Sequence, residues 1–179
     1  MKVIFLDIDG VLNNWYHPEL INLDNLFVLK KIIKLTNAKI VIISSNKYTY
    51  QRLGLKNYQG SYFAKYMDIL NREDIEIFDV TPYIGENQSD LKEKEIKKYL
   101  ESNPLITDFV IIDDEIVSKF FKKEQVRTLY TTGLEDSNIN EVIDILNGNL
   151  GFYPKNYNIK ETSEQKLIRI NRHHNQNNH

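Results

Sequence analysis

Asp7 stands directly after four consecutive apolar residues, Val3 to Leu6; Asp9 follows two positions on, and then Gly10. Carboxylates at i and i+2 on a turning backbone can face one cation and one substrate together. That arrangement suits metal-assisted phosphoryl transfer, in which a cation offsets the repulsion between a carboxylate and an anionic phosphate. Two further stretches end in the same manner. Ile40 to Ile43 run into Ser44-Ser45-Asn46, and Phe109 to Ile112 run into Asp113-Asp114. A hydroxyl can hold a phosphate oxygen, and paired carboxylates offer the oxygen ligands that a hard cation takes.

The elements that must position these groups follow from the apolar pattern. Runs of four apolar residues bounded by polar ones read as strands buried on both faces, as in a parallel sheet. In an open α/β sheet the site lies at the carboxyl ends of the strands. Three runs ending in reactive groups would therefore share one edge. Gly10 lets the chain turn away from the first of them. Helical spacing is predicted from Leu23 through Leu26, Leu29, Ile32, Ile33 and Leu35 to Thr36-Asn37, over Tyr48–Leu55, stopped near Gly54, over Tyr62–Leu70, over Ser89–Leu100 and over Ile139–Leu146. Weaker strand patterns cover Glu76–Val80 and Val126–Tyr130. Strands alternating with helices predict an α/β fold with helices on both faces of a parallel sheet.

Composition narrows the classes. A chain of 179 residues suits one domain with a full core, here expected over 1–147, followed by a C-terminal extension over 148–179. The extension carries five Lys/Arg and two Glu, so +3 against −5 for the rest, and its polar end is expected to be mobile. The net charge of −2 announces no global basic field for nucleic acid or an anionic membrane. The absence of cysteine excludes disulfides, zinc-thiolate sites and a thiol nucleophile, and fits a cytoplasmic protein. No apolar run approaches the roughly 18 residues of a membrane span.

With these residues in view, the chain resembles the haloacid dehalogenase (HAD) superfamily of aspartate-nucleophile phosphohydrolases. Within it, the chain is similar to the small HAD domain of Swiss Army Knife RNA repair proteins. Asp7-Ile8-Asp9-Gly10 matches the first motif of that superfamily, Ser44 the second, Lys92 the basic residue of the third and Asp113-Asp114 the acidic pair of the fourth. The resemblance runs from residue 2 to about 146. It implies a Rossmann-like three-layer α/β/α sandwich whose central parallel sheet has about five strands in the order 3-2-1-4-5, without a sizeable cap domain.

It also implies roles. Asp7 would be the nucleophile and Asp9 the acid/base. Ser44 and Lys92 would hold the phosphate oxygens. Mg²⁺ would bind Asp7, the backbone carbonyl of Asp9 and Asp113, with Asp114 as the replacement for Asp113; Asp114 or Glu115 could instead orient the ligands. Lys94 rivals Lys92, since both lie in Lys92-Glu93-Lys94-Glu95, a pattern that also suits a solvated helix face. Each aspartate taken alone could be a cap or turn residue. Ser44 could cap a helix while also touching phosphate.

One departure stands out. Relatives often carry Ser-Trp-Arg after the second strand, where this chain reads Ser45-Asn46-Lys47-Tyr48, with Lys47 a candidate for the missing cation. His17 reads as a surface-loop residue, and Trp15 and Tyr16 as core packing or a stacking lip. A capless site admits large substrates, which makes nucleic-acid ends, nucleotides or phosphoproteins the expected partners. The tail aromatics Phe152, Tyr153 and Tyr157, interleaved with Lys155 and Lys160, read as packing on the core ahead of a grip on single strands. Two other classes compete: a non-catalytic binding or assembly module on the same fold, and a phosphotransferase.

Overall fold

The computed structural model describes residues 1–14, 21–48, 51, 61–85, 91–149 and 162. The chain runs β1 (Lys2–Leu6), α1 (Leu23–Thr36), β2 (Lys39–Ile42), α2 (Tyr62–Arg72), β3 (Ile77–Val80), α3 (Leu91–Ser102), β4 (Asp108–Asp113), β5 (Gln125–Arg127) and α4 (Ile139–Leu146). The five strands form one sheet in the order β3-β2-β1-β4-β5, and every pairing is parallel.

The apolar runs behave as their pattern predicts. In β1 the residues from Val3 to Leu6 are all fully buried. Their alternation assigns them to opposite layers. Ile4 and Leu6 join Leu26, Leu29 and Ile32 of α1, Tyr66 and Leu70 of α2, and Val142 and Leu146 of α4 in one core. Val3 and Phe5 face the other side, with Ile96 and Tyr99 of α3, Ile111 and Phe121. A three-layer sandwich results, with α1, α2 and α4 on one face and α3 on the other.

Local chemistry sets the ends of the helices. The Asn22 side chain accepts from the Asp24 and Asn25 N–H groups at the start of α1, and Asn37 closes that helix in the left-handed conformation (φ 51°). Ser61 caps α2 by accepting from the Ala64 N–H.

Some elements differ from the sequence pattern. The last strand is Gln125–Arg127, shorter than Val126–Tyr130 suggests and begun one residue earlier. Beyond it the chain turns to pack on the β1 loop: Thr128 Oγ1 donates to the Gly10 carbonyl at 2.7 Å, and the Leu134 N–H donates to the Val11 carbonyl at 2.9 Å. The helix expected over Ser89–Leu100 is observed as Leu91–Ser102, residues 86–90 lying outside those described. Of the Tyr48–Leu55 helix only Tyr48 and Gln51 are described, and both are helical. Trp15, Tyr16, His17 and, apart from residues 148, 149 and 162, the C-terminal extension also lie outside the described residues. No cap domain is found among the described residues.

Candidate active site

The carboxyl ends of β1, β2 and β4 and the start of α3 converge as the parallel order requires. Asp7 follows β1, and its N–H donates to the Ile112 carbonyl of β4 at 3.0 Å, so the sheet fixes the backbone of this residue. Gly10 has φ +74°, and a Cβ there would meet Asp114 Cγ at 2.5 Å. Glycine is required on both counts, and it lets the β1 turn approach the acidic pair after β4.

Asp7, Asp113 and Asp114 are buried, and one carboxylate oxygen from each lies within 4.8 Å of the others. Lys92 Nζ bridges two of them, at 2.9 Å from Asp7 Oδ2 and 2.7 Å from Asp113 Oδ2. Asp113 Oδ1 accepts from the Glu115 N–H at 2.8 Å. Asp7 Oδ1 and Asp114 Oδ2 are buried without a hydrogen-bond partner. Burial pushes the Asp113 carboxyl up to about 7, against the pull of Lys92 and with added repulsion from Asp7 and Glu115. Burial, then Asp113, Asp7 and Glu115, push Asp114 well up as well. Burial alone would pull the Lys92 ammonium down, but Asp113 and Asp7 outweigh it and hold its pKa well above the ordinary lysine value.

Orphaned buried carboxylate oxygens beside a single ammonium are a donor set that fits a hard divalent cation. Asp7, Asp113 and Asp114 would hold it. The Asp9 carboxylate is directed elsewhere, so any contribution from Asp9 would come from its backbone carbonyl.

Asp9 sits in a different environment. Its Oδ1 accepts from Asn13 Nδ2 at 2.8 Å and from the Tyr66 hydroxyl at 3.2 Å, and its Oδ2 accepts from Asn46 Nδ2 at 2.8 Å. These donors come from the β1 turn, from α2 and from the loop after β2. Asn46 Nδ2 also lies 3.5 Å from Ser44 Oγ, so the second motif and the second aspartate are tied together. Ser44 is 1% exposed.

The rival lysines separate clearly. Lys92 points between the aspartates, whereas Lys94 is exposed on α3. Lys47 does not serve as a substrate-facing cation. It is fully buried, and its Nζ pairs with Glu95 Oε2 at 2.8 Å. Asn13, Asn46, Tyr66 and Glu95 are the neighbours that sequence reasoning missed. Asn13 and Asn46 lie close in sequence to Asp9 and Ser44, which was a usable signal. Tyr66 reads as one more apolar position of its helix, and Glu95 as part of a charged face. A separate open cleft of about 490 Å³ lies against α1, lined by Asn14, Phe27, Lys31, Thr132 and Asp136 among others; it includes none of the aspartates of the site.

A parallel sheet in this order, with Asp-x-Asp-Gly closing its central strand, a lysine on a later helix and an acidic pair after the neighbouring strand, defines a HAD-type α/β domain. Residues 3–139 match the family model described as the HAD domain in Swiss Army Knife RNA repair proteins, and the chain belongs to that family. No curated protein and no solved structure matches it. A HAD domain points to a hydrolase-type enzyme, and HAD domains generally use Mg²⁺. No helix among the described residues is long and apolar enough to cross a membrane.

Proposed function

We propose that this protein is a Mg²⁺-dependent phosphomonoesterase that works through an aspartyl-phosphate on Asp7. The observation that carries the reading is the difference between two neighbouring carboxylates. Asp7 has a buried oxygen with no hydrogen-bond partner and belongs to a cluster of three carboxylates that fits a cation, while Asp9 is held by three donors from separate elements. The first is suited to attack and the second to proton transfer.

In the first step an Asp7 oxygen bonds to phosphorus. The ester P–O bond breaks, and Asp9 gives its proton to the leaving oxygen. In the second, Asp9 takes a proton from water as the water oxygen bonds to phosphorus. The bond to Asp7 breaks, and inorganic phosphate leaves. Lys92 and Ser44 hold the non-bridging oxygens, and charge-assisted contacts of this kind are the strong ones. A bound Mg²⁺ would supply charge neutralisation between the anionic nucleophile and the anionic substrate.

The lack of a cap among the described residues favours large substrates, and nucleic-acid ends or nucleotides are the class we put first. A cytoplasmic setting goes with this reading, given a chain free of cysteine. The test is turnover of an aryl phosphate, then of 3′- and 5′-phosphorylated oligonucleotides, nucleotides, sugar phosphates and phosphopeptides, each with and without Mg²⁺. Asp7→Asn is expected to abolish Mg²⁺-dependent phosphate release with the fold intact. Unchanged turnover in that variant would sink the assignment. Phosphate appearing on an added alcohol in place of water would make the protein a phosphotransferase.

A further inference from the structure

Lys47 and Glu95 form an ion pair that is fully buried, 2.8 Å from Nζ to Oε2. The Lys47 ammonium also reaches the Ile43 carbonyl at 3.2 Å and the Ser44 carbonyl at 3.5 Å, and it lies 4.4 Å from the centre of the Tyr48 ring. Thr81, just after β3, has its hydroxyl 3.4 Å from both Glu95 Oε2 and the Ile42 carbonyl. The pair therefore joins the end of β2 to α3, with the end of β3 attached.

The positions of these groups in the chain matter. Ile43 and Ser44 are the residues where β2 leaves the sheet. Glu95 lies three residues after Lys92, about one turn along the same helix. A buried ion pair is weak evidence for stability, since apolar residues of the same volume often do as well. Its distinguishing property is direction. Ile96 packs on the sheet through apolar, non-directional contacts, and the Tyr99 hydroxyl donates to Asp79 Oδ2 on the edge strand β3 at 3.0 Å, so neither bonds α3 to the end of β2, and α3 keeps the freedom to shift there by fractions of an ångström. A charge-assisted bond to the strand end removes that freedom.

We propose that Lys47 and Glu95 are positioning residues: a buried clamp that holds Ser44 at the end of β2 and Lys92 on α3 at the separation at which both reach one phosphoryl group. The clamp rests on the phosphatase reading above.

The test is the double variant Lys47→Met with Glu95→Leu, which removes both buried charges together. It is compared with the parent by thermal unfolding, by kcat and KM on an aryl phosphate with Mg²⁺, and by calorimetric affinity for inorganic phosphate. The expected result is a folded protein whose kcat/KM is down roughly ten- to hundred-fold, with phosphate binding weakened in step. In that background Lys92→Ala should cost less than it does in the parent, because Lys92 is already misplaced. Parental kcat/KM and phosphate affinity in a folded double variant would overturn the clamp. If the double variant does not fold, Glu95→Gln takes its place. It keeps an acceptor for Lys47 but loses the charge, and KM is expected to rise roughly threefold or more with kcat held; unchanged KM and phosphate affinity would overturn the clamp there too. A parent that neither turns over any ester nor binds phosphate would fail the phosphatase reading and the clamp with it. An active parent with an equally active double variant would fail the clamp alone.

Discussion

Two carboxylates separated by one residue have unlike surroundings, and the proposed chemistry rests on that difference. Among the described residues Asp7 accepts from Lys92 alone, while Asp9 accepts from Asn13, Asn46 and Tyr66. Tyr66→Phe deletes one donor from a fully buried side chain without changing its shape. A loss of about 1 kcal/mol in stability is expected, the ordinary net value of one hydrogen bond. The effect on kcat should be larger, roughly tenfold, because the proposed acid/base group, Asp9, is left less firmly held. Steady-state kinetics beside urea unfolding separates the two effects, and an unchanged kcat would remove Tyr66 from the proton-transfer machinery. Gly10→Ala acts by sterics. It puts a side chain at positive φ and within 2.5 Å of Asp114 Cγ, so a loss of about 2 kcal/mol or more is expected, with turnover reduced as the acidic pair shifts.

At the scale of elements, the site depends on loops that brace one another. Asn25 of α1 is buried, and its Nδ2 donates to the Thr132 and Leu134 carbonyls at 2.8 Å each. Its Oδ1 accepts from Asn14 Nδ2 at 3.2 Å. One amide thus joins α1, the β1 turn and the loop after β5. The same loop begins with Thr128, which holds the Gly10 carbonyl. Asn25→Ala takes the Asn25 donor from the buried Leu134 carbonyl and one of two donors from the half-buried Thr132 carbonyl, which keeps Asn14 Nδ2 at 3.1 Å, and a loss of about 1–2 kcal/mol is expected from chemical denaturation. A loss below about 0.5 kcal/mol would show that the brace is dispensable. Beyond Arg127 the Thr128 N–H still donates to the Asp113 carbonyl at 3.2 Å, and the chain then turns, with the Gly133 N–H donating to the Leu129 carbonyl at 2.7 Å, so β5 ends short of its apolar pattern.

For the whole molecule, the balance is set by buried negative charge. The Asp113 carboxyl is raised to about 7 from an ordinary 3.8, with burial the largest cause, and Asp114 moves in the same direction. Between those values the folded chain holds a proton that the unfolded chain has released. Its contribution to stability is therefore full at low pH and falls as pH rises toward 7. Protons also compete with a cation for the same oxygens. The expected outcome is that Mg²⁺ raises the melting temperature more at about pH 8 than at about pH 5.5, and that a chelator reverses the gain. Equal Mg²⁺ shifts at the two pH values would show that these carboxylates are not the ligands.

The sequence alone determined the strands that carry the site, the order of its acidic groups and the α/β class, because apolar runs and turn residues depend on neighbours only a few positions away. That local pattern made Asp7, Asp9, Ser44 and Asp113-Asp114 legible together at one sheet edge. Only the tertiary structure decided between Lys92 and Lys94, since both occupy the same charged helical stretch and just one faces the aspartates. It also turned Lys47 from a candidate substrate contact into the partner of Glu95, and it brought the Tyr66 hydroxyl to an aspartate 57 residues earlier in the chain. Such choices rest on which elements pack against which, and residue type and spacing leave them open. A lysine in a polar stretch looks the same whether it meets water, a phosphate or a buried carboxylate, until the fold puts one of them beside it.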